Sequence, residues 1–422
     1  MTFENSIAFT KQLDAADQLK HFRKKFYFPQ HNGKDAIYFC GNSLGLQPKH
    51  VEDAIHIELQ AWRDLAVEGY FKGTNPWLFY HEYLRGSLAK IVGAHDHEVT
   101  VMNALTVNLH FMMLSFYRPT KQRYKIMMEA GAFPSDQYAV ETQVTHHGFD
   151  PADAIIEIAP RTGEKILHEE DILKAIDENK DTLALTIFGG INYYTGQLFD
   201  IPLITAAAQN VGAIAGWDLA HVSGNVPTQL HNWNVDFAVW CSYKYLNGGP
   251  GAVGGVFVNE HHAKQNETPR LAGWWGNDEK TRFKMEKGFI AKPDASGWNL
   301  STSQVFNMVA LKASLELFDE AGMENLREKS ILLTNYLEFL LLQLKHDAFE
   351  IITPADEARR GAQLCLYFNQ KGKEIHNQLM ENGIIVDYRE PGVIRVAPAP
   401  LYCSFEDVWK CVEIIRVVLD TN

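Results

Sequence analysis

Short, near-continuously apolar runs recur along the middle of the chain, at residues 123–129, 154–158, 182–188, 211–217, 236–241 and 252–258. Strands that face water on one side alternate polar with apolar residues, whereas these runs barely alternate. They predict strands covered on both faces. Amphipathic stretches such as Ile201–Asn210 separate some of them and predict helices. Strand–helix alternation of this kind predicts an α/β fold with a mostly parallel open sheet.

The flanks read differently. An apolar run at 36–40 leads into the Gly- and Pro-punctuated loop Gly41-Asn-Ser-Leu-Gly-Leu-Gln-Pro48, and amphipathic helices are expected at 49–66 and 79–92. Beyond Gln304, Val305, Met308, Leu311, Leu315 and Leu317 fall at helical spacing, and a second periodic run covers 325–345. Apolar segments at 361–367, 383–388 and 393–397 and a closing helix at 405–419 then predict a small α/β domain with its own sheet. The expected organisation is an N-terminal segment (1–60) packing with the small domain, a large domain (61–305) and the small C-terminal domain (306–422).

With 422 residues, 46% of them hydrophobic, the chain can bury a sizeable core. Its net charge of -13 excludes non-specific binding to nucleic acid or to an anionic membrane, both of which need clustered positive charge. It leaves open an anionic small ligand held by local N–H groups and hydroxyls. Five scattered cysteines without a Cys-x-x-Cys pair read as reduced thiols. The first residues have neither the basic nor the apolar region of a signal peptide, and no apolar run approaches the roughly 18–20 residues of a membrane span. A soluble, cytoplasmic protein is expected.

Several residues stand where an α/β enzyme keeps its chemistry, at the carboxyl ends of strands. Asp218 follows the run 211–217, with His221 three residues on; Lys244 lies just beyond the run 236–241. Taken singly, Asp218 reads as a helix cap and Lys244 as a solvated loop residue. Thr106, in Asn103-Ala-Leu-Thr-Val-Asn108, precedes an apolar helix and resembles an N-cap, which is also where helix N–H groups meet a phosphate. Phe133, in Phe133-Pro-Ser-Asp136, is either an apolar loop anchor or a flat group for stacking. The stretch Gly248–Gly255 lacks P-loop spacing. Arg395, inside an apolar run, either pairs with a carboxylate of the protein or serves as a fork for a substrate carboxylate. The adjacent pairs His146-His147 and His261-His262 are expected to diverge, and with no His-Glu-x-x-His or Gly-x-Ser-x-Gly motif no metal site is expected.

Together these groups meet the demands of pyridoxal 5′-phosphate (PLP): a lysine for the aldehyde, an anion for the pyridine nitrogen, a phosphate cup, a flat group and a carboxylate clamp. The ordered motifs Gly41–Pro48, Met102–His110, Ala132–Asp136, Tyr194–Gln197, Trp217–His221, Trp240–Asn247, Gly273–Gly276 and Ile394–Tyr402 resemble the kynureninase family, among the fold-type I (aspartate aminotransferase-like) PLP enzymes. The resemblance runs from about residue 40 to the end of the chain. It implies PLP-dependent hydrolysis of L-kynurenine, and of 3-hydroxy-L-kynurenine, to anthranilate or 3-hydroxyanthranilate and L-alanine. This is a step of tryptophan degradation towards pyridine nucleotides.

The resemblance also implies residue roles. Lys244 would hold the cofactor and move protons, Asp218 would pair with the ring nitrogen, His221 would support the ring and Phe133 would stack on it. Leu105, Thr106, Pro134, Ser135, Asp136 and Tyr243 would bind the cofactor, with Tyr243 also a proton donor. Trp274 and Thr302 would reach the phosphate from a neighbouring subunit of a homodimer with shared sites. Arg395 would clamp the substrate carboxylate, with Asn42, Ser43 and Tyr70 lining the substrate pocket. The sequence departs from the animal enzymes at three places: Gly189 replaces a serine, Tyr70 a substrate-facing histidine and Thr302 an asparagine. The histidine change bears on the preference between the two substrates. The nearest alternative is another fold-type I enzyme, such as a cysteine desulfurase or a class V aminotransferase; a desulfurase needs a reactive thiol on a mobile loop, whereas Cys365 lies in a strand pattern and Cys403 just before the last helix.

Overall fold

The computed structural model describes residues 2–264 and 268–421. Seven strands form the main sheet, in the order Val99–Met102, Gly254–Val258, Phe237–Trp240, Ile214–Asp218, Leu183–Gly189, Lys125–Glu129, Ile155–Ile158. Gly254–Val258 is antiparallel to both of its neighbours; the remaining pairings are parallel. All the strands expected in this region form. Val99–Met102 is an addition, a four-residue strand too short to stand out as an apolar run. The strand expected from residue 211 begins only at Ile214, because Gly212 turns the chain at φ +78°.

The near-continuous apolar runs are explained by the layers. Ile126 and Met128 face one buried cluster, with Leu109, Met112, Val140 and Val144 from the helices Leu105–Phe116 and Pro134–His146. Met127 faces the opposite cluster, with Ile172, Ile204, Trp217 and Trp240. Both sides of the sheet are therefore core, and burying such side chains provides about 25 cal/mol per Å² of apolar surface removed from water.

The second sheet is antiparallel, in the order Phe349–Ile351, Leu364–Phe368, Val393–Val396, Asp387–Arg389. The expected strand at 383–388 is in fact two. Ile384–Ile385 pairs in parallel with Ile37–Tyr38, and Asp387–Arg389 joins the small sheet. The helices Val305–Ala321 and Met323–Gln343 are separated by Gly322 at φ +75°, a helix-ending conformation that favours glycine.

The N-terminal segment packs onto the C-terminal region. Asp14 accepts hydrogen bonds from the backbone N–H groups of Phe405 (2.8 Å) and Glu406 (3.0 Å), at the start of the closing helix Phe405–Asp420. Asp17 pairs with Lys329 at 2.8 Å in a buried setting. The His261-His262 pair departs from expectation: the rings lie 3.9 Å apart and both turn towards Asp236.

Candidate active site

The parallel strands end at Glu129, Gly189 and Asp218, and Lys244 follows the end of Phe237–Trp240. These ends open into a cavity of about 240 Å³, whose lining includes Thr106, Phe133, Asp136, Asp218, His221 and Lys244. Lys244 Nζ lies 3.0 Å from His221 Nε2 and 5.9 Å from the centre of the Phe133 ring.

The loop that opened the resemblance holds this lysine in place. The Gly45 N–H donates to the Tyr243 carbonyl at 2.8 Å. A Cβ on Gly45 would lie 2.4 Å from the Lys244 carbonyl and 2.2 Å from Asn247 Oδ1, so no side chain fits. Gly45→Ala is expected to push the lysine segment aside and lower kcat/KM about 100-fold, the scale of a 1 Å misplacement. Steady-state kinetics beside a cooperative melting curve checks this; unchanged kinetics would contradict it.

Three buried carboxyl groups line the same cavity as this lysine. Asp218 accepts a hydrogen bond from the Ala220 N–H at 2.7 Å, yet burial raises its carboxyl above the usual range against the pull of Lys244. Asp136 is raised well above its usual range by burial, then by the charges of Asp218 and Glu129. Glu129 accepts from the Gly189 N–H at 3.2 Å, and burial pushes it up to about 7. Burial, reinforced by the positive charge of Lys244, drives the His221 imidazole well below its usual range and keeps it neutral. Its Nδ1 is buried without a hydrogen-bond partner among the described residues. The pocket thus lacks cationic charge, which a protonated pyridine nitrogen supplies, and it leaves an imidazole nitrogen free for a ring substituent.

Glu129 also makes stability depend on pH. A carboxyl raised from 4.5 to about 7 in the folded state binds its proton more tightly there than in the unfolded chain. Its stabilising contribution is full below about pH 4.5 and is lost as pH rises through about 7, on the order of 3 kcal/mol at most. Urea unfolding of the cofactor-free protein across this window is expected to show falling stability, with a flatter profile in Glu129→Gln. Identical slopes would count against this reading.

Two helix N-termini complete the cavity. The helix Leu105–Phe116 starts after Ala104, so Thr106 is its second residue rather than the expected N-cap. No side chain caps this end, and its free N–H groups and the Thr106 hydroxyl are available to a phosphate. Pro134 opens the helix Pro134–His146 with its fixed φ, and Ser135 and Asp136 occupy the first turn. Tyr243 is half-buried at the rim, and burial holds its phenol above the usual range, protonated.

Arg395 lies against the same site. It is 1% exposed; Nη1 donates to the Tyr193 carbonyl at 3.0 Å and Nη2 to Ser43 Oγ at 2.9 Å. Tyr193 is itself part of the cavity wall. Asp387, directly opposite Arg395 across the strand pair, also accepts from Nη2. Arg395 Nε is buried without a partner among the described residues. Asn42 donates to Gln363 at 2.8 Å and leaves Oδ1 buried and unpaired among the same residues.

Three expected residues are elsewhere within one chain. Trp274 is 46% exposed and bonds the Arg282 carbonyl at 3.0 Å. Thr302 lines a separate small cavity beside Asn103 and Ser303. Tyr70 packs edge-on against Trp77, 5.6 Å between ring centres. Sequence reasoning missed Glu129 and Asp387. Glu129 could have been found as a carboxylate closing an apolar strand, whereas Asp387 becomes meaningful only once the strand register is known. A Cβ on Gly189 would lie 3.0 Å from Glu129 Oε1, so a serine there would crowd that carboxylate.

Residues 326–415 match the kynureninase C-terminal domain family. The chain is 50% identical over 419 residues to the kynureninase of Christiangramia forsetii, covering 99% of both chains. It is 53% identical over 415 residues to that of Myxococcus xanthus, covering 98% of this chain and 97% of the relative. With that of Nematostella vectensis it shares 46% identity over 436 residues, covering 98% and 94%. Among solved structures, a cysteine desulfurase from Thermococcus onnurineus superposes with TM-score 0.76 at 18% identity, covering 92% of this chain and 95% of that one. C-DES, described with glycine covalently linked to its PLP cofactor, gives 0.75 at 16% identity, covering 90% and 96%. These likenesses show the fold, that of fold-type I PLP enzymes, while half-identity along essentially the whole sequence shows something narrower: this chain belongs to the kynureninase family.

Proposed function

We propose that this protein is a kynureninase, which uses PLP to hydrolyse L-kynurenine, and 3-hydroxy-L-kynurenine, to anthranilate or 3-hydroxyanthranilate and L-alanine. The observation that carries the reading is the cavity in which Lys244 faces buried Asp218, Asp136 and Glu129 between two helix N-termini. Bound there, the cofactor supplies the electron sink through which the substrate's Cβ–Cγ bond breaks.

The protein's own groups do the rest. Lys244 holds the cofactor and moves the proton at Cα. Asp218, pinned by the Ala220 N–H, keeps a carboxylate on the ring nitrogen, with Asp136 beside it. His221 stays neutral beside Lys244 Nζ, and Phe133 provides the flat face. Thr106 and the N–H groups from Leu105 onward hold the phosphate, with Pro134 and Ser135 shaping the facing turn. Tyr243, kept protonated by burial, is the acid that can deliver a proton to Cβ as alanine forms. Arg395, steadied by Ser43, holds the substrate carboxylate, with Asn42 beside it.

The same proposal includes a cytoplasmic homodimer with shared sites. The positions of Trp274 and Thr302 away from their own chain's cavity support their serving the partner's. No helix among the described residues is long and apolar enough to cross a membrane. The division into residues 1–60, 61–305 and 306–422 is supported by the two separate sheets and by the packing of the N-terminal segment. Burial raises the thiols of Cys40, Cys241, Cys365, Cys403 and Cys411, so none of them is poised as the reactive thiolate a desulfurase needs. Incubation with kynurenine is expected to yield fluorescent anthranilate, and incubation with cysteine no sulfide. Failure to form anthranilate would defeat the assignment.

A further inference from the structure

We infer that Asp236, His261 and His262 form a binding site for a divalent transition ion such as zinc, nickel or cobalt. It lies at the opposite edge of the sheet from the Lys244 cavity: Asp236 immediately precedes the strand Phe237–Trp240, and Lys244 follows that strand. Asp236 Oδ1 lies 2.6 Å from His262 Nε2, a hydrogen bond that a bound ion would replace, and 3.7 Å from His261 Nε2; the three ligand atoms all lie within 4.8 Å of one another. Ligands bound to one ion at about 2.0–2.2 Å in tetrahedral geometry stand roughly 3.3 Å apart, between these two separations.

The surroundings prepare each ligand. Asp236 Oδ2 accepts from the Ala215 N–H (2.8 Å) and Gln209 Nε2 (3.0 Å), which fixes the carboxylate and leaves Oδ1 aimed at the rings. Asn259 Oδ1 caps the turn Glu260–Ala263 by accepting the His261 N–H, so that atom is the amide oxygen. The same oxygen lies 2.6 Å from His261 Nδ1 and therefore accepts its hydrogen. With its hydrogen on Nδ1 directed to Asn259, His261 turns its Nε2 towards Asp236 Oδ1. A second-shell acceptor on the distal nitrogen is how metal-bound imidazoles are generally oriented. Of the three, His262 also lines a surface cavity of about 310 Å³. Two arginines line it too: the Arg123 guanidinium is occupied by the carbonyls of Leu183 and Lys180, and Arg118 is exposed.

A second group, His95, Glu98 and His231, is less suited. Backbone N–H groups of His95 and Glu260 occupy both Glu98 carboxylate oxygens, whereas Asp236 Oδ1 accepts from no backbone group. This second group serves as an internal control.

The test is a cobalt titration of chelator-treated holoenzyme, read by visible d–d absorption. Wild type is expected to saturate at one ion per chain and to melt at higher temperature when loaded. His261→Ala and His262→Ala should each weaken binding about 100-fold or more, and His231→Ala should leave it unchanged. Asn259→Ala should cost about 10–100-fold, with Asn259→Asp restoring it by keeping the acceptor oxygen. Both histidines are partly exposed, so their removal spares the core, and anthranilate formation should be the same in every variant. Absence of saturable binding by wild type, or equal affinity in the double histidine variant, would overturn the proposal.

Discussion

Lys244→Ala is expected to lower kcat for kynurenine cleavage by at least about 10⁴-fold, the upper range for loss of a positioned acid–base group. Two losses coincide. The covalent anchor for the cofactor disappears, and so does the amine that carries the Cα proton. His221, 3.0 Å away, cannot replace it, because burial holds its imidazole neutral and weakly basic. The spectrum of lysine-bound cofactor should vanish while the melting curve stays cooperative, and a small exogenous amine should return part of the rate. Retention of more than about one hundredth of wild-type kcat would place the proton transfers elsewhere.

Asp218→Asn is expected to lower kcat by about 10³-fold, the cost of removing one preorganised charged contact from a buried site. Asparagine can still accept the Ala220 N–H but cannot balance a protonated ring nitrogen. The opposite sign is expected for stability. Burial raises the Asp218 carboxyl, so ionising it destabilises the cofactor-free fold, and the neutral amide removes that cost. A variant slower in turnover yet more resistant to urea without cofactor would show a function-driven charge. Asp136→Asn should follow the same pattern, because its carboxyl is raised by the same burial and by Asp218 itself. Equal turnover in Asp218→Asn and wild type would remove the carboxylate from the mechanism.

Much of this site was legible before any fold was known. Apolar runs marked the strands, and Asp218 and Lys244 were named because they follow such runs, whereas Glu129, which closes another, was passed over. Parallel strands present their carboxyl ends on one side, which is why residues so far apart in sequence converge. The helix starting at Pro134 went unread in Phe-Pro-Ser-Asp, although proline at a first helical position is a usable signal. The N-cap reading of Thr106 failed by two residues, since Ala104 adopts the extended capping conformation without a capping side chain.

The sequence by itself determined the α/β class and the buried strands, because periodicity is a local property, and it put forward residues whose chemistry suits PLP. Only the tertiary structure decided which groups share an environment. It set Asp387 across from Arg395 through strand register, brought Glu129 against Gly189 and Asp218 through strand order, and turned His261 and His262 onto one carboxylate. Long-range pairing, burial and the electrostatics they create depend on chain segments far apart in sequence, and local patterns carry no information about those distances.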